Sequence, residues 1–125
     1  MIKGIGIDLI EVARVARRLA EDGPDFVESV FTPAEIDYCR GKHNPAMHFA
    51  ARFAAKEALF KALAWAGERR PAWREVEILS ERGGRPRLAL RGTAGELAAE
   101  LGAGTAHVTL THTRELAMAA VVLED

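Results

Sequence analysis

The stretch from Phe49 to Gly67, F-A-A-R-F-A-A-K-E-A-L-F-K-A-L-A-W-A-G, sets the terms for the rest of the chain. Ala, Leu, Lys, Glu and Arg dominate it, all strong helix formers, and nothing inside it breaks a helix. Asn44-Pro45 supplies an N-cap and a first-turn proline, and Gly67 supplies a stop, so one helix of roughly twenty residues is predicted. At about 100° per residue, Phe49, Phe53 and Phe60 share one stripe, with Leu59 and Leu63 at its edge. The opposite side carries Ala51, Ala55, Ala58 and Ala62, so the helix is apolar nearly all round. Such a helix has to be buried, by the rest of the domain or by another subunit. Four charges interrupt it: Arg52, Lys56, Glu57 and Lys61. Unpaired charge in that setting is costly. Two readings stand. Glu57 and Lys61 form an internal i, i+4 pair, or three cations and a carboxylate gather around an anionic ligand and a metal.

With 125 residues the chain is expected to form a single domain, residues 1–125, with a core of its own. A formal net charge of −1 argues against a general nucleic-acid binder. The one cysteine, Cys39, rules out a disulfide framework and fits a reducing compartment, hence a cytoplasmic protein. No signal peptide or membrane span is expected, because no apolar run reaches membrane length.

Ile2 to Leu9 reads as a strand, with Lys3, Ile5, Ile7 and Leu9 on one face and Ile2, Gly4, Gly6 and Asp8 on the other. The two glycines on the face of Asp8 predict that another element or a ligand comes close there. Asp8 itself has two readings, a capping box with Glu11 opening the next helix or a ligand position. A helix over about 10–20 is expected to pack Val12, Ala13, Ala16, Leu19 and Ala20 inward. Its outer side carries Arg14, Arg17 and Arg18, either ordinary solvated surface or a docking face for an acidic protein. Gly23-Pro24 breaks the chain, and Phe26, Val27, Val30 and Phe31 form a short apolar segment. Thr32-Pro33-Ala34-Glu35 is a capping box opening a short helix to about Arg40. Cys39 is expected to pack there as a small apolar residue. His43 and His48 read as surface or polar-packing residues. Trp73 to Ser80 and Arg87 to Leu90 form a hairpin through Gly83-Gly84, with Arg85-Pro86 in a rigid basic tip. Thr93 to Glu96 matches a capping box for a helix ending at Gly102. Thr105 to His112 and Leu116 to Leu123 form a last hairpin, with His112 at a strand end where it could simply cap backbone. The order predicts an α+β domain whose mainly antiparallel sheet packs on the long central helix.

The segments G-I-G-I-D-L-I-E-V (4–12) and A-R-F-A-A-K-E-A-L-F-K-A (51–62) together resemble the holo-acyl-carrier-protein synthases, the small single-domain group of 4′-phosphopantetheinyl transferases. Gly84-Arg85-Pro86 is similar to that family's hairpin tip, and T-L-T-H-T (109–113) to its late strand, with Thr109 where many members have serine. The resemblance spans the chain and implies the 4′-phosphopantetheinyl transferase fold. The implied activity is transfer of phosphopantetheine from coenzyme A to a serine of apo-acyl carrier protein, with adenosine 3′,5′-bisphosphate released, Mg²⁺ required, and a place in fatty acid biosynthesis. It implies Asp8 and Glu57 as metal ligands and Lys61 as a pyrophosphate-binding residue, these three forming the catalytic set. Arg52 and Lys56 would add charge for the phosphates, Gly84, Arg85, Pro86, His112 and Thr113 would lie near coenzyme A, and Arg14, with Arg17 and Arg18, would receive the carrier protein. A homotrimer with its sites between subunits is implied as well, which would account for the central helix having no polar face. The rival from another class is a catalytically silent Mg²⁺- or nucleotide-binding module of the same fold. Retention of Asp8, Glu57 and Lys61 together speaks against it.

Overall fold

A computed structural model describes residues 1–64 and 69–125. Strand β1 (Ile2–Glu11) leads into helices α1 (Val12–Glu21), α2 (Gly23–Val30), α3 (Pro33–Arg40) and α4 (Pro45–Leu63). After a 3₁₀ turn at Trp73–Glu75 come β2 (Val76–Ser80), β3 (Pro86–Leu90), α5 (Gly92–Glu100), β4 (Thr105–His112) and β5 (Leu116–Glu124). The strands form two antiparallel sheets, one in the order β1-β5-β4 and the other the β2–β3 hairpin. This is the α+β arrangement expected, with the three-stranded sheet laid on α4.

Local chemistry sets most element ends. Thr32 and Glu35 complete a reciprocal capping box at α3, and Asn44 caps α4 by accepting the Met47 N–H at 3.4 Å. Helix α4 stops at Leu63, where Ala64 takes a left-handed φ of 46°. The expected stop, Gly67, lies outside the described residues.

Four local expectations are corrected. First, Asp8 does not cap α1, because pairing with β5 carries β1 through Glu11 and puts the helix start at Val12. Helix α1 therefore buries Val12 and Val15, whereas Ala13 and Ala20 are exposed. Second, Gly23-Pro24 does not merely break the chain. Pro24 sits in the first turn of α2, where its missing N–H costs nothing. Third, Trp73 to Glu75 turn as a 3₁₀ helix before β2 begins. Fourth, Thr93 is not the cap of α5. The Glu75 carboxylate reaches across from the 3₁₀ turn to take the Thr93 N–H and, at 2.7 Å, that of Ala72. It fits because Gly92 has no Cβ, which would fall on that carboxylate, and because glycine tolerates the φ of 53° there.

The core lies between α4 and the sheet. Phe49, Leu59, Phe60 and Leu63 of α4 are buried, as are Ala117, Ala119, Val121 and Leu123 of β5. Gly4 and Gly6 of β1 lie directly under α4. A Cβ on Gly6 would come within 2.9 Å of the Ala58 carbonyl carbon, and one on Gly4 within 3.0 Å of that of Ala62. Only glycine permits this backbone approach, so the closeness expected on that face of β1 is met by α4. Among the described residues nothing covers the other face of the sheet. Ile5, Ile7 and Leu9 are 70%, 57% and 59% exposed, beside the outward Met118, Ala120 and Val122 of β5.

Candidate active site

Two polar clusters lie along α4. The first forms where the glycines bring β1 against the helix. Asp8, two residues beyond Gly6 on the same face, comes beside the last turns of α4, where Glu57 and Lys61 project. The Lys61 ammonium donates to the Ile7 carbonyl at 2.9 Å and to the Asp8 carboxylate at 3.1 Å. Glu57 is half-buried, and its carboxyl is pushed above the usual range, first by burial and then by the negative charge of Asp8, with Lys61 and Arg70 acting against. The expected trio of Asp8, Glu57 and Lys61 is therefore brought together from residues nearly fifty positions apart. Of the two ion pairs open to Lys61, the one formed is with Asp8 and not the internal Glu57 pair.

The second cluster sits about 13 Å away along the axis, since Arg52 precedes Lys61 by nine residues at about 1.5 Å each. Arg52 is 3% exposed and donates to the Ser80 hydroxyl at 3.1 Å. Its guanidinium carbon lies 4.0 Å from the centroid of the Tyr38 ring, and the Lys42 ammonium 4.4 Å from the same centroid. His48 packs edge-on to Tyr38 at 6.0 Å and to His112 at 6.3 Å. Burial, then the charges of Arg52 and Lys42, hold the His48 imidazole below its usual range. Ser80 pairs with Pro86, so the hairpin tip of Gly84, Arg85 and Pro86 joins this group. Gly83 and Gly84 take φ of 92° and 85° there, conformations that suit glycine. Thr113 follows His112, but its hydroxyl is used in the β4–β5 turn, accepting the N–H groups of Glu115 and Leu116.

Lys56 belongs to neither cluster, and its expected part in holding phosphate is corrected. It follows that Lys56 and Glu57, adjacent in sequence and so about 100° apart around the helix, face different neighbours. The Lys56 ammonium is wholly buried and spends all three protons: on Glu35 at 2.7 Å, the Val30 carbonyl at 2.7 Å and the Trp73 carbonyl at 3.2 Å. None is left for a ligand.

Arg14, Arg17 and Arg18 do share a groove of about 260 Å³ with the apolar Ile10, Phe26 and Phe53. Arg18 is the least free of the three, since it stacks on Phe26 at 4.4 Å and pairs with Asp22 at 2.6 Å.

Tyr38, Lys42 and Ser80 were not among the expected site residues, and His48 was expected only as a surface or polar-packing residue. They come from α3, the loop before α4, the first turn of α4 and β2, and no local spacing connects them. Their one signal was an excess of buried charge on α4 that needed partners from somewhere.

A donor set of two carboxylates suits Mg²⁺, which is commonly held by one or two carboxylates with waters and substrate phosphates completing its shell. Burial and the negative charge of Asp8 raise the cost of ionising Glu57, which a cation between the two carboxylates would relieve. Among the described residues no group of three or more His, Cys, Asp or Glu side chains could form an all-protein metal cage.

The family model of the 4′-phosphopantetheinyl transferase superfamily matches residues 4–121. The chain is 44% identical over 125 residues to the holo-[acyl-carrier-protein] synthase of Koribacter versatilis, covering 100% of both chains. In structure it is similar to the holo-[acyl-carrier-protein] synthase of Neisseria meningitidis, with a TM-score of 0.89 and 27% identity over 100% of both chains. It is also similar to that of Bacillus anthracis in complex with CoA (3′,5′-ADP), with a TM-score of 0.82 and 31% identity over 100% of this chain and 98% of that one. With its glycine-paired carboxylate cluster and these full-length likenesses, the chain belongs to the 4′-phosphopantetheinyl transferase superfamily, in its holo-[acyl-carrier-protein] synthase group.

Proposed function

We propose that this chain transfers the 4′-phosphopantetheine arm of coenzyme A to a serine hydroxyl of an apo-acyl carrier protein, using Mg²⁺ held by Asp8 and Glu57. The observation that carries the metal-assisted part is the convergence of those two carboxylates with Lys61 beneath a backbone contact that only glycine allows.

In the reaction the serine oxygen forms a bond to the β-phosphorus of the coenzyme A pyrophosphate. The bond from that phosphorus to the bridging oxygen breaks, adenosine 3′,5′-bisphosphate leaves with the bridging oxygen, and the serine proton passes to a base. Bound Mg²⁺ would supply charge neutralisation on the phosphate oxygens. Lys61 spends two of its three ammonium protons on the Ile7 carbonyl and Asp8, leaving one for a pyrophosphate oxygen. That oxygen gathers charge as the reaction proceeds, so a fixed cation there favours the transition state. Arg52, His112 and the hairpin tip of Gly84, Arg85 and Pro86 would bind the nucleotide end, while Arg14 and Arg17 receive acidic groups of the carrier protein.

The uncovered sheet face supports assembly as a homotrimer with sites between subunits. A continuous apolar surface from Ile5, Ile7 and Leu9 to Met118 and Val122 is what a second copy would bury. We further place the enzyme in the cytoplasm, serving fatty acid biosynthesis. No helix among the described residues is long and apolar enough to cross a membrane.

The test is intact-mass spectrometry of an apo-acyl carrier protein incubated with the chain, coenzyme A and Mg²⁺. A mass gain equal to phosphopantetheine, abolished by EDTA and restored by Mg²⁺, is expected. No gain with several carriers would favour the silent binding module, and a gain indifferent to EDTA would remove the metal from Asp8 and Glu57.

A further inference from the structure

The geometry of the second cluster assigns a role to a residue outside the expected site: we propose that Tyr38 is a positioning residue, whose ring holds the Arg52 guanidinium and the Lys42 ammonium ready for a phosphate of coenzyme A. This rests on the reading of Arg52 as a coenzyme A contact.

Arg52 is 3% exposed, yet no carboxylate neutralises it among the described residues. Its partners are the Ser80 hydroxyl and the face of Tyr38, and its Nε is buried with no hydrogen-bond partner. A buried cation without a counter-charge is expensive to keep. Elsewhere on α4 the chain avoids that expense: Lys56, one turn further along, is given Glu35. The contrast marks Arg52 as a charge kept unneutralised for an incoming anion.

Lys42 strengthens the point. Its ammonium lies 4.4 Å from the same ring centroid that Arg52 approaches at 4.0 Å, so two like charges share one aromatic ring. They repel in the free chain and match a multiply charged phosphate. The ring attracts both cations through its electron-rich faces without cancelling either charge. Stacking also fixes the guanidinium plane, which leaves its edge N–H groups set for planar recognition of phosphate oxygens. Hydrogen bonding to Ser80, then the charges of Arg52 and Lys42, pull the Tyr38 hydroxyl below the usual phenol range against the effect of burial. Ser80 thus ties ring and guanidinium to the same strand end.

Calorimetric titration of the full chain with coenzyme A, beside steady-state transfer kinetics, tests this. Tyr38→Leu is expected to raise the Kd for coenzyme A about tenfold, the scale of a desolvated cation–π contact. The kcat at saturating coenzyme A and the KM for the carrier should stay unchanged. Tyr38→Phe, which keeps the ring, should recover most of the affinity. In an Arg52→Gln background Tyr38→Leu should cost less than in the wild type, because only the Lys42 contact is left to lose. Should Tyr38→Leu fail to fold by circular dichroism, Tyr38→Met takes its place. Wild-type affinity in Tyr38→Leu, equal losses in the Phe and Leu variants, or full additivity with Arg52→Gln would overturn the role of Tyr38. An Arg52→Gln variant with unchanged Kd would instead overturn the reading of Arg52 beneath it.

Discussion

Replacing Lys56 by Met separates a structural lysine from a phosphate-binding one. The Glu35 carboxylate is buried and accepts three hydrogen bonds: from the Lys56 ammonium at 2.7 Å, the Thr32 N–H at 2.9 Å and the Ile78 N–H at 3.0 Å. Burial pushes the Lys56 ammonium below the usual lysine range, and the Glu35 charge and hydrogen bond act against that. Methionine fills most of the volume but leaves Glu35 without its counter-charge. Breaking a buried pair from one side costs roughly 3–5 kcal/mol, and the two remaining N–H donors place this case near the lower end. For a domain of this size about 3 kcal/mol lowers Tm by roughly 10–15 °C. Adding Glu35→Gln to Lys56→Met removes the stranded charge and should restore part of the loss. Thermal unfolding at fixed protein concentration reads the stability, and calorimetry with coenzyme A reads any ligand role. A Lys56→Met protein with unchanged Tm and lost coenzyme A affinity would refute the placement of Lys56 in the core network.

Gly6→Ala should destabilise the fold by about 3 kcal/mol, at the upper end of overpacking effects, because the added methyl meets backbone and not a movable side chain; thermal unfolding decides, and a wild-type Tm would contradict the close contact. Stability should also fall in acid through Glu77. Burial raises its pKa, but hydrogen bonds from Thr32 and Arg91, with the charges of Arg91 and Lys56, outweigh that and leave it below the usual 4.5. A group whose folded pKa is depressed stabilises fully above its unfolded value and loses that contribution as pH falls through the folded one. Urea unfolding from pH 6 to pH 3 should therefore show a smaller decline in Glu77→Gln than in the wild type, and parallel curves would exclude this contribution. Arg14→Glu should raise the KM for the carrier protein several-fold and leave the Kd for coenzyme A alone, whereas an unchanged KM would remove α1 from the docking face. Ile7→Glu puts a charge at the centre of the uncovered sheet face and should release monomers in analytical ultracentrifugation; a mass unchanged from that of an assembled wild type would place the subunit contact elsewhere.

Much of this was legible in the order of residues. Periodicity sufficed for α4 and the two hairpins, and Thr32-Pro33-Ala34-Glu35 marked the start of α3 because a capping box is a wholly local device. Gly4 and Gly6 signalled a close neighbour, although not that the neighbour would be α4. What escaped was decided by contacts between distant segments. Asp8 followed by Glu11 looks like a cap until β5 pairs with β1 and keeps that stretch extended. Thr93 looks like a cap until Glu75 arrives from 18 positions earlier to take its N–H. Lys56 looks like one more cation for an anionic ligand until α3 brings Glu35 against it. In each case the local pattern was real, and a long-range partner claimed the same group.

The pairing of β1 with β5 has a consequence for how the chain is made. Ile2 lies opposite Glu124 and Glu11 opposite Leu116, so the first strand synthesised pairs with the last in the sheet. At about 5–20 residues per second the ribosome delivers α4 seconds before β5. Throughout that interval an all-round apolar helix and a strand bearing Ile5, Ile7 and Leu9 lack the partner that would order them. The nascent chain therefore carries unpaired apolar surface through that interval, and the sheet that holds Asp8 beside Glu57 is completed only after residues 116–124 have emerged.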